Sequence, residues 1–177
     1  MKQDGKGIAS VLVVVAVIAV GMLSGAWEVQ ASEKGSAYAQ QIQGSWSLVS
    51  QYVDQDGKKI EAFGSNPKGA MILTSDGRFM IILMKAELPK FAAKSRVKGT
   101  AEENQAVVQG SVAYFGTYFI ASEKEHQVSL RIEGSTYPNW TGEEQKRIMT
   151  MNGDEMKMIT PTAAIGGVSN IVWKRAK

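Results

Sequence analysis

Short apolar runs separated by turn signals make up most of the chain after Gly44. Aspartate-glycine pairs at Asp56-Gly57 and Asp76-Gly77 follow two of these runs, and such pairs supply the positive φ that tight hairpin turns require. The runs are shorter than ordinary helices and are rich in β-branched and aromatic residues. The pattern predicts about eight strands at near-regular spacing: Trp46–Val53, Ala70–Thr74, Arg78–Met84, Ser111–Ala121, Gln127–Glu133, Gln145–Met151, Glu155–Thr160 and Asn170–Lys174.

One segment, from Glu87 to Gly110, interrupts this rhythm. It is charged, and its second half predicts a short helix from Thr100 to Gln109, with Thr100 as N-cap and Glu103 at the reciprocal position of a capping box. The hairpin-length turns elsewhere leave no room for the crossovers of a parallel sheet. The chain is therefore predicted to be mostly β, an antiparallel up-and-down barrel or sandwich with one helical insertion.

The N-terminal residues follow a different pattern. An almost unbroken apolar run covers Ile8 to Leu23, Lys2 and Lys6 precede it, and the compact sequence Val29-Gln30-Ala31 follows. Basic, apolar and small-residue regions in this order are typical of a secretory signal peptide. We expect a signal peptide over residues 1–31, cleaved after Ala31, which makes the protein periplasmic or secreted.

The competing interpretation of the leader is an uncleaved anchor over residues 8–27, because about 20 apolar residues span a bilayer. In that case the leader is the part of the protein that contacts a membrane. In both cases the domain lies outside the cytoplasm. We expect a flexible lead-in or short helix over residues 32–43 and a single domain over residues 44–177.

Composition excludes several classes of function. The chain has no cysteine, so it has neither a disulfide framework nor a lipoprotein acylation site. Its net charge is only +3 and no dense basic run occurs, which argues against nucleic-acid binding. His126 is the single histidine, and no phosphate loop, nucleophile motif or metal-ligand spacing is found. We therefore predict neither a metal nor a cofactor.

A series of short motifs resembles, in order, the bacterial and fungal lipocalin-like domain family. The motifs are Gly44-Ser45-Trp46-Ser47-Leu48-Val49-Ser50, Phe63-Gly64-Ser65, Asn66-Pro67-Lys68-Gly69, Thr74-Ser75-Asp76-Gly77-Arg78, Ala113-Tyr114-Phe115-Gly116-Thr117-Tyr118, Glu133-Gly134-Ser135, Pro138-Asn139-Trp140-Thr141-Gly142, Gln145-Lys146-Arg147 and Val172-Trp173-Lys174-Arg175. The resemblance implies a small antiparallel barrel with a central cavity, and implies little about activity. It also implies that Trp46 and Arg175 stack to close the barrel floor.

The chain departs from the family at one point. The family usually has one or two histidines just before the Glu-Gly-Ser step, where this chain has Leu130 and Arg131. Proton transfer by such histidines is therefore doubtful in this protein.

Four polar residues on two neighbouring predicted strands form a candidate binding cluster. Arg131 and Glu133 share one face of their strand, as Gln145 and Arg147 do on the next. Pointing inward, the four would bind a carboxylate or hydroxyl; pointing outward, they would form a surface ladder. The apolar neighbours of Arg131 and Glu133 favour the outward arrangement of that pair.

Aromatic residues and methionines supply the remaining candidates. Tyr114 and Tyr118 share one strand face, whereas Phe115 and Phe119 share the other, which suggests a strand buried on both sides. The tyrosines and Met158 are candidate ligand contacts, with ordinary core packing as the alternative.

The loop after Glu133 contributes two further candidate contacts, Asn139 and Trp140. Our leading hypothesis is an exported protein that binds a small, mainly apolar molecule in a barrel. One alternative is a cofactor-free isomerase or cyclase, with Glu133 as acid or base and Tyr118, Arg147 or Trp140 stabilising charge. The other is a structural or partner-binding envelope protein. The sequence leaves the ligand and the oligomeric state open.

Overall fold

The computed structural model describes residues 36–177. The predicted signal peptide, its cleavage site and residues 32–35 of the lead-in lie outside the described residues. Two helices and nine strands follow: α1 (Ala37–Ile42), β1 (Gly44–Gln55), β2 (Lys58–Ile60), β3 (Lys68–Leu73), β4 (Arg78–Met84), α2 (Ala101–Gly110), β5 (Ser111–Ser122), β6 (Gln127–Ser135), β7 (Glu144–Asn152), β8 (Glu155–Thr160) and β9 (Val168–Arg175).

Eight of these strands form a closed antiparallel barrel. The strands from β3 to β9 pair with one another in chain order. β1 pairs with β3 at one edge of this series and with β9 at the other edge, which closes the sheet. The predicted mostly β, lipocalin-like barrel is thus confirmed. The ninth strand, β2, is a three-residue arm that pairs with the second half of β1. The sequence pattern did not reveal β2, because it contains two lysines and one apolar residue.

The predicted helical insertion is also confirmed. α2 begins after Thr100, whose hydroxyl accepts a hydrogen bond from the Glu103 amide, and the Glu103 carboxylate accepts one from the Thr100 amide. This reciprocal capping box satisfies two amides that an isolated helix end leaves unpaired. The helix leads directly into β5.

One end of the barrel is packed solid. Large inward side chains fill it, all with at most 1% of their surface exposed: Trp46, Met71, Leu73, Ile81, Val128, Leu130, Met149, Met156, Met158 and Trp173. We call this end, where β1 begins and β9 ends, the floor. The opposite end is the mouth.

Helix α1 covers the floor from below. Tyr38 and Ile42 are buried, and the Tyr38 hydroxyl donates to the carbonyl of Met149 at 2.7 Å and lies 3.1 Å from that of His126. The Trp46 indole N–H donates to the carbonyl of Ile42 at 3.0 Å. The segment expected to be a flexible lead-in or short helix therefore contains a helix that is packed on the core.

Arg175 completes the floor. Its guanidinium carbon lies 4.3 Å from the Trp46 ring centroid, and its two Nη atoms donate to the carbonyls of Gln43 and Gln41 at 2.8 and 2.7 Å. The expected stacking of Trp46 and Arg175 is thus confirmed. Because one side chain contacts both the first strand and the turn after α1, it fixes the helix to the barrel.

The prediction that β5 is buried on both faces is wrong. Tyr114 and Tyr118 point inward, but Phe115 and Phe119 point outward and are 44% and 40% exposed. Among residues 36–177 no element covers Phe115 and Phe119, and each phenyl ring packs on its own sheet. Phe115 lies over Gly134 of β6, where a Cβ atom would come within 2.7 Å of the ring, and the Arg131 guanidinium lies 4.8 Å from the Phe119 centroid.

We expect Arg175→Lys to lower the free energy of unfolding by about 1–3 kcal/mol, because lysine cannot make the forked pair of hydrogen bonds while stacking on Trp46. Urea unfolding followed by tryptophan fluorescence measures the change. The matched control is Arg96→Lys on an exposed loop, expected to change stability by less than about 0.5 kcal/mol. Equal stabilities of the two variants would contradict the role assigned to Arg175.

Burial, together with the nearby charge of Glu123, raises the pKa of the Tyr38 hydroxyl well above its ordinary value of 10.0. Above pH 10 the unfolded chain therefore loses this proton while the native state keeps it, so native stability falls as the pH rises. We expect Tyr38→Phe to cost about 1–2 kcal/mol at pH 7 through its lost hydrogen bonds. The variant should also show a shallower loss of stability as the pH rises above about 10, where an unburied tyrosine ionises. Parallel stability–pH curves for the two proteins would show that Tyr38 does not contribute to the loss.

Candidate functional site

A cavity of about 100 Å³ lies inside the mouth of the barrel, above the floor. Most of its walls are apolar. The lining residues are Gln51, Val53, Ala62, Phe63, Leu83, Val112, Tyr114, Trp140, Arg147, Thr160, Ala163, Ala164, Ile165, Ser169 and Ile171. For scale, an apolar protein cavity of about 150 Å³ holds benzene. At about 100 Å³ the present cavity is smaller than that, so an aromatic ring would enter only if the rim moved outward.

Three connections form the rim of this cavity. The loop between β2 and β3 contributes Phe63, the turn Pro138–Trp140 contributes Trp140, and the loop between β8 and β9 contributes Ala163 to Ile165. The Trp140 ring packs edge-on against Tyr114, with 5.1 Å between centroids. The aromatic rim thus continues the aromatic wall of the barrel interior.

Arg147 is the charged residue of the cavity lining, and it is 2% exposed. Arg147 pairs with Val128 in the β6–β7 ladder. Because paired residues lie on the same face of a sheet and Val128 is buried, the Arg147 side chain also points inward. One Nη atom donates to the Lys146 carbonyl at 2.9 Å, and the other donates to Oε1 of Gln145 at 2.7 Å. Its Nε is buried without a hydrogen-bond partner. Both acceptors are neutral, so the guanidinium keeps an uncompensated charge.

Gln51 and Ser169 form the other polar contact inside the cavity. Nε2 of Gln51 donates to the Ser169 hydroxyl at 3.2 Å, and both residues are buried. Oε1 of Gln51 has no hydrogen-bond partner. Two of the residues that line the cavity thus have unused hydrogen-bonding capacity, a donor at Nε of Arg147 and an acceptor at Oε1 of Gln51.

Neither of these two residues was predicted from the sequence: Ser169 precedes the predicted last strand, which begins at Asn170, and Gln51 follows a β-bulge that shifts the alternation of β1. The pairing with β9 skips Val49, which is exposed. Trp46 points inward before the bulge, and Gln51 and Val53 point inward after it. Counting alternate positions from Trp46 would place Gln51 outside, and no sequence signal marks the bulge.

A second depression, of about 460 Å³, lies beside the cavity. The β7–β8 ladder stops at Ile148–Ile159, and beyond this pair Gln145 to Arg147 and Thr160 to Ala164 line the depression. It shares five lining residues with the cavity: Trp140, Arg147, Thr160, Ala163 and Ala164. Arg147 thus lies between the barrel interior and the outer surface.

Three of the predicted site residues, Tyr114, Trp140 and Arg147, line the cavity, and Gln145 orients Arg147 from the second depression. Tyr118 and Met158 do not line it. The Tyr118 hydroxyl donates to the Thr74 carbonyl at 2.8 Å, and Met158 is fully buried in the floor. Burial also raises the pKa of Tyr118, so its hydroxyl is neutral and serves packing.

The inward cluster of four polar residues is not formed. The β6–β7 ladder pairs Leu130 with Gln145 and Arg131 with Glu144, so Arg131 and Gln145 lie on opposite faces of the sheet. On the outer surface Arg131 pairs with Glu144 at 2.9 Å. The physical reason is the register, which brings even-numbered residues of β6 and odd-numbered residues of β7 to the same face.

Two other candidates also lie outside the cavity. Glu133 is on the outer face of β6, where both of its carboxylate oxygens accept hydrogen bonds from Arg78, at 3.1 and 2.9 Å. Asn139 is exposed on the turn before Trp140. Neither side chain is in a position to contact a molecule held inside the barrel.

No group of three or more histidine, cysteine, aspartate or glutamate side chains is arranged to hold a metal ion in the described part of the chain. None of the helices between residues 36 and 177 is long and apolar enough to cross a membrane.

Comparison with known proteins gives a curated relative and a solved structure. The relative is the 4'-hydroxy-3'-methoxypropiophenone carrier protein ppsC of Aspergillus oryzae, 26% identical over 102 residues, which cover 52% of this chain and 92% of that protein. The structure is that of a mutant of the fluorescent protein UnaG. It is 7% identical, has a TM-score of 0.37, and the alignment covers 78% of this chain and 99% of that one.

The sequence profile of the lipocalin-like domain family matches residues 43–176. This range begins one residue before β1 and extends one residue beyond β9. The family resemblance of the sequence motifs is thereby confirmed, and the profile covers the whole closed barrel. The chain belongs to the lipocalin-like domain family.

Proposed function

We propose that this protein binds and carries a small, mainly apolar molecule in the mouth of its barrel. The observation that carries the proposal is an apolar cavity above a solid floor, in which polar groups at Arg147 and Gln51 have unused hydrogen-bonding capacity. Sites for small molecules typically combine apolar walls with a few convergent polar groups that fix orientation. The floor makes such a site closed at one end, so a ligand enters through the mouth.

The curated relative supports the same class of function. Its name describes a carrier of 4'-hydroxy-3'-methoxypropiophenone, an aromatic ketone whose ring has one hydroxyl and one methoxy substituent. An aromatic molecule of this kind is compatible with a cavity bordered by Phe63, Tyr114 and Trp140. We therefore place small aromatic compounds first among the candidate ligands.

The isomerase or cyclase alternative is less well supported. Its acid or base was Glu133, which lies on the outer face and is paired with Arg78. No carboxylate is found among the described residues that line the cavity. Carriage of an unchanged ligand requires no such group.

We propose in addition that the domain is exported by the signal peptide of residues 1–31. The support is the order of its basic, apolar and small-residue regions. An exported carrier without cysteine is insensitive to an oxidising compartment.

Binding is tested with three neutral aromatic compounds of increasing size: toluene, acetophenone and 2-acetylnaphthalene. We expect at least one to raise the melting temperature by several degrees, because ligand at 100 times its Kd stabilises a protein by about 2.7 kcal/mol. Val112→Trp, which fills the cavity wall, should weaken that compound's binding at least about tenfold in calorimetry. Val108→Trp is the matched control, since Val108 is 74% exposed on α2 and outside the cavity.

Two results would count against the carrier proposal. One is that the wild-type protein binds none of the three compounds. The other is that Val112→Trp binds them as tightly as Val108→Trp does, which would place binding elsewhere on the molecule.

Export is tested by expressing the full chain in a bacterial host and measuring the mass of the product in the periplasmic fraction. We expect a chain that begins at Ser32, because the small residues Val29 and Ala31 mark the cut. Ala31→Leu should reduce processing at this bond, whereas Ala37→Leu, beyond the cleavage region, should not. A full-length, membrane-associated product from the wild-type gene would favour the anchor instead.

A further inference from the structure

Arg147 carries a positive charge that the described part of the chain does not neutralise. Arg147 as a whole is 2% exposed, its two hydrogen-bond acceptors are a carbonyl and an amide oxygen, and its buried Nε has no partner. Arginine does not lose its proton in proteins. Burying a charge without a counter-charge is unfavourable by several kcal/mol, so an anion at this position would be bound strongly.

The rest of the cavity lining does not offer that counter-charge. Its other side chains with polar atoms are Gln51, Tyr114, Trp140, Thr160 and Ser169, none of which is a carboxylate. By contrast, Arg78, Arg131 and Arg175 each lie within 4 Å of a carboxylate, and Arg96 is exposed to water on a loop outside the cavity. Arg147 is thus the arginine available to a bound molecule.

The charge distribution also indicates on which side of Arg147 an anion lies. The outer depression is lined by Glu143 and Glu144 as well as Lys146, so its carboxylates repel a second anion. The inner cavity has apolar walls and a low local dielectric, in which a charge pair interacts more strongly. The cavity side of Arg147 is therefore the favourable one.

We infer that the carried molecule is a small aromatic carboxylate, whose ring occupies the apolar cavity and whose single anionic group binds the buried Arg147 guanidinium. The inference rests on the proposed carrier function and specifies its ligand class. One guanidinium matches one carboxylate in charge and in planar shape. A phosphate dianion would leave a net charge in the cavity, because the described lining supplies a single cation.

The test compares cinnamate with cinnamamide, which have nearly the same shape and differ in charge at neutral pH. We expect the wild-type protein to bind cinnamate at least about tenfold more tightly in calorimetry, the range expected for a charge-assisted hydrogen bond. Arg147→Met should abolish this preference and leave the affinity for cinnamamide within about threefold, because methionine retains most of the apolar side-chain volume.

The matched control is Arg131→Met, which removes an arginine from the outer face of the neighbouring strand. It should leave both affinities unchanged. Near-UV circular dichroism shows whether each variant keeps its native packing. If Arg147→Met does not fold, the wild-type comparison of the two probes still decides the question.

The possible outcomes separate this inference from the carrier proposal. If the wild-type protein binds neutral aromatic compounds but prefers cinnamamide, or binds neither cinnamyl probe, the carboxylate inference is overturned and the carrier proposal stands. An equal loss of cinnamate binding in Arg131→Met and Arg147→Met also overturns it. If the wild-type protein binds neither the neutral compounds nor the cinnamyl probes, the carrier proposal itself fails.

Discussion

Closure of the sheet by the ladder between β1 and β9 is the constraint on which the rest of the structure depends. Without it, two strand edges and one side of the lumen would be open to water. The ladder contains a bulge at Val49, which lets β1 bend and reverses the face that points inward. As a result β1 supplies Trp46 to the packed floor and Gln51 to the cavity.

The barrel divides its interior between stability and binding. The floor combines two tryptophans and several methionines with a cap formed by α1, and Tyr38 and Arg175 hold that cap in place. The mouth contains the cavity, and connecting segments, including the short turn Pro138–Trp140, form its rim. Under the proposed carrier function, ligand entry at the mouth would leave the main hydrophobic core at the floor in place.

Under the inferred ligand class, Arg147 is a binding group whose burial without a paired carboxylate is unfavourable in the empty protein. Its buried guanidinium has neutral acceptors, whereas the exposed pair of Arg131 and Glu144 is fully compensated. Exposed pairs of this kind contribute little to stability or specificity. Under the same inference, Arg147 would contribute the most selective interaction in the cavity, because a bound anion offsets the desolvation cost of its charge.

The sequence by itself determined the architecture, because its signals are local. Aspartate-glycine pairs mark hairpin turns, and the Thr100–Glu103 capping box marks the start of α2. Trp46 near the start of β1 and Arg175 at the end of β9 contact each other where the two strands close the barrel. Only the tertiary structure decided which side chains share the lumen. The bulge at Val49 turned Gln51 inward, and the β6–β7 register separated Arg131 from Arg147. Both depend on how one strand is aligned with another, and a shift of one residue exchanges the two faces of a strand.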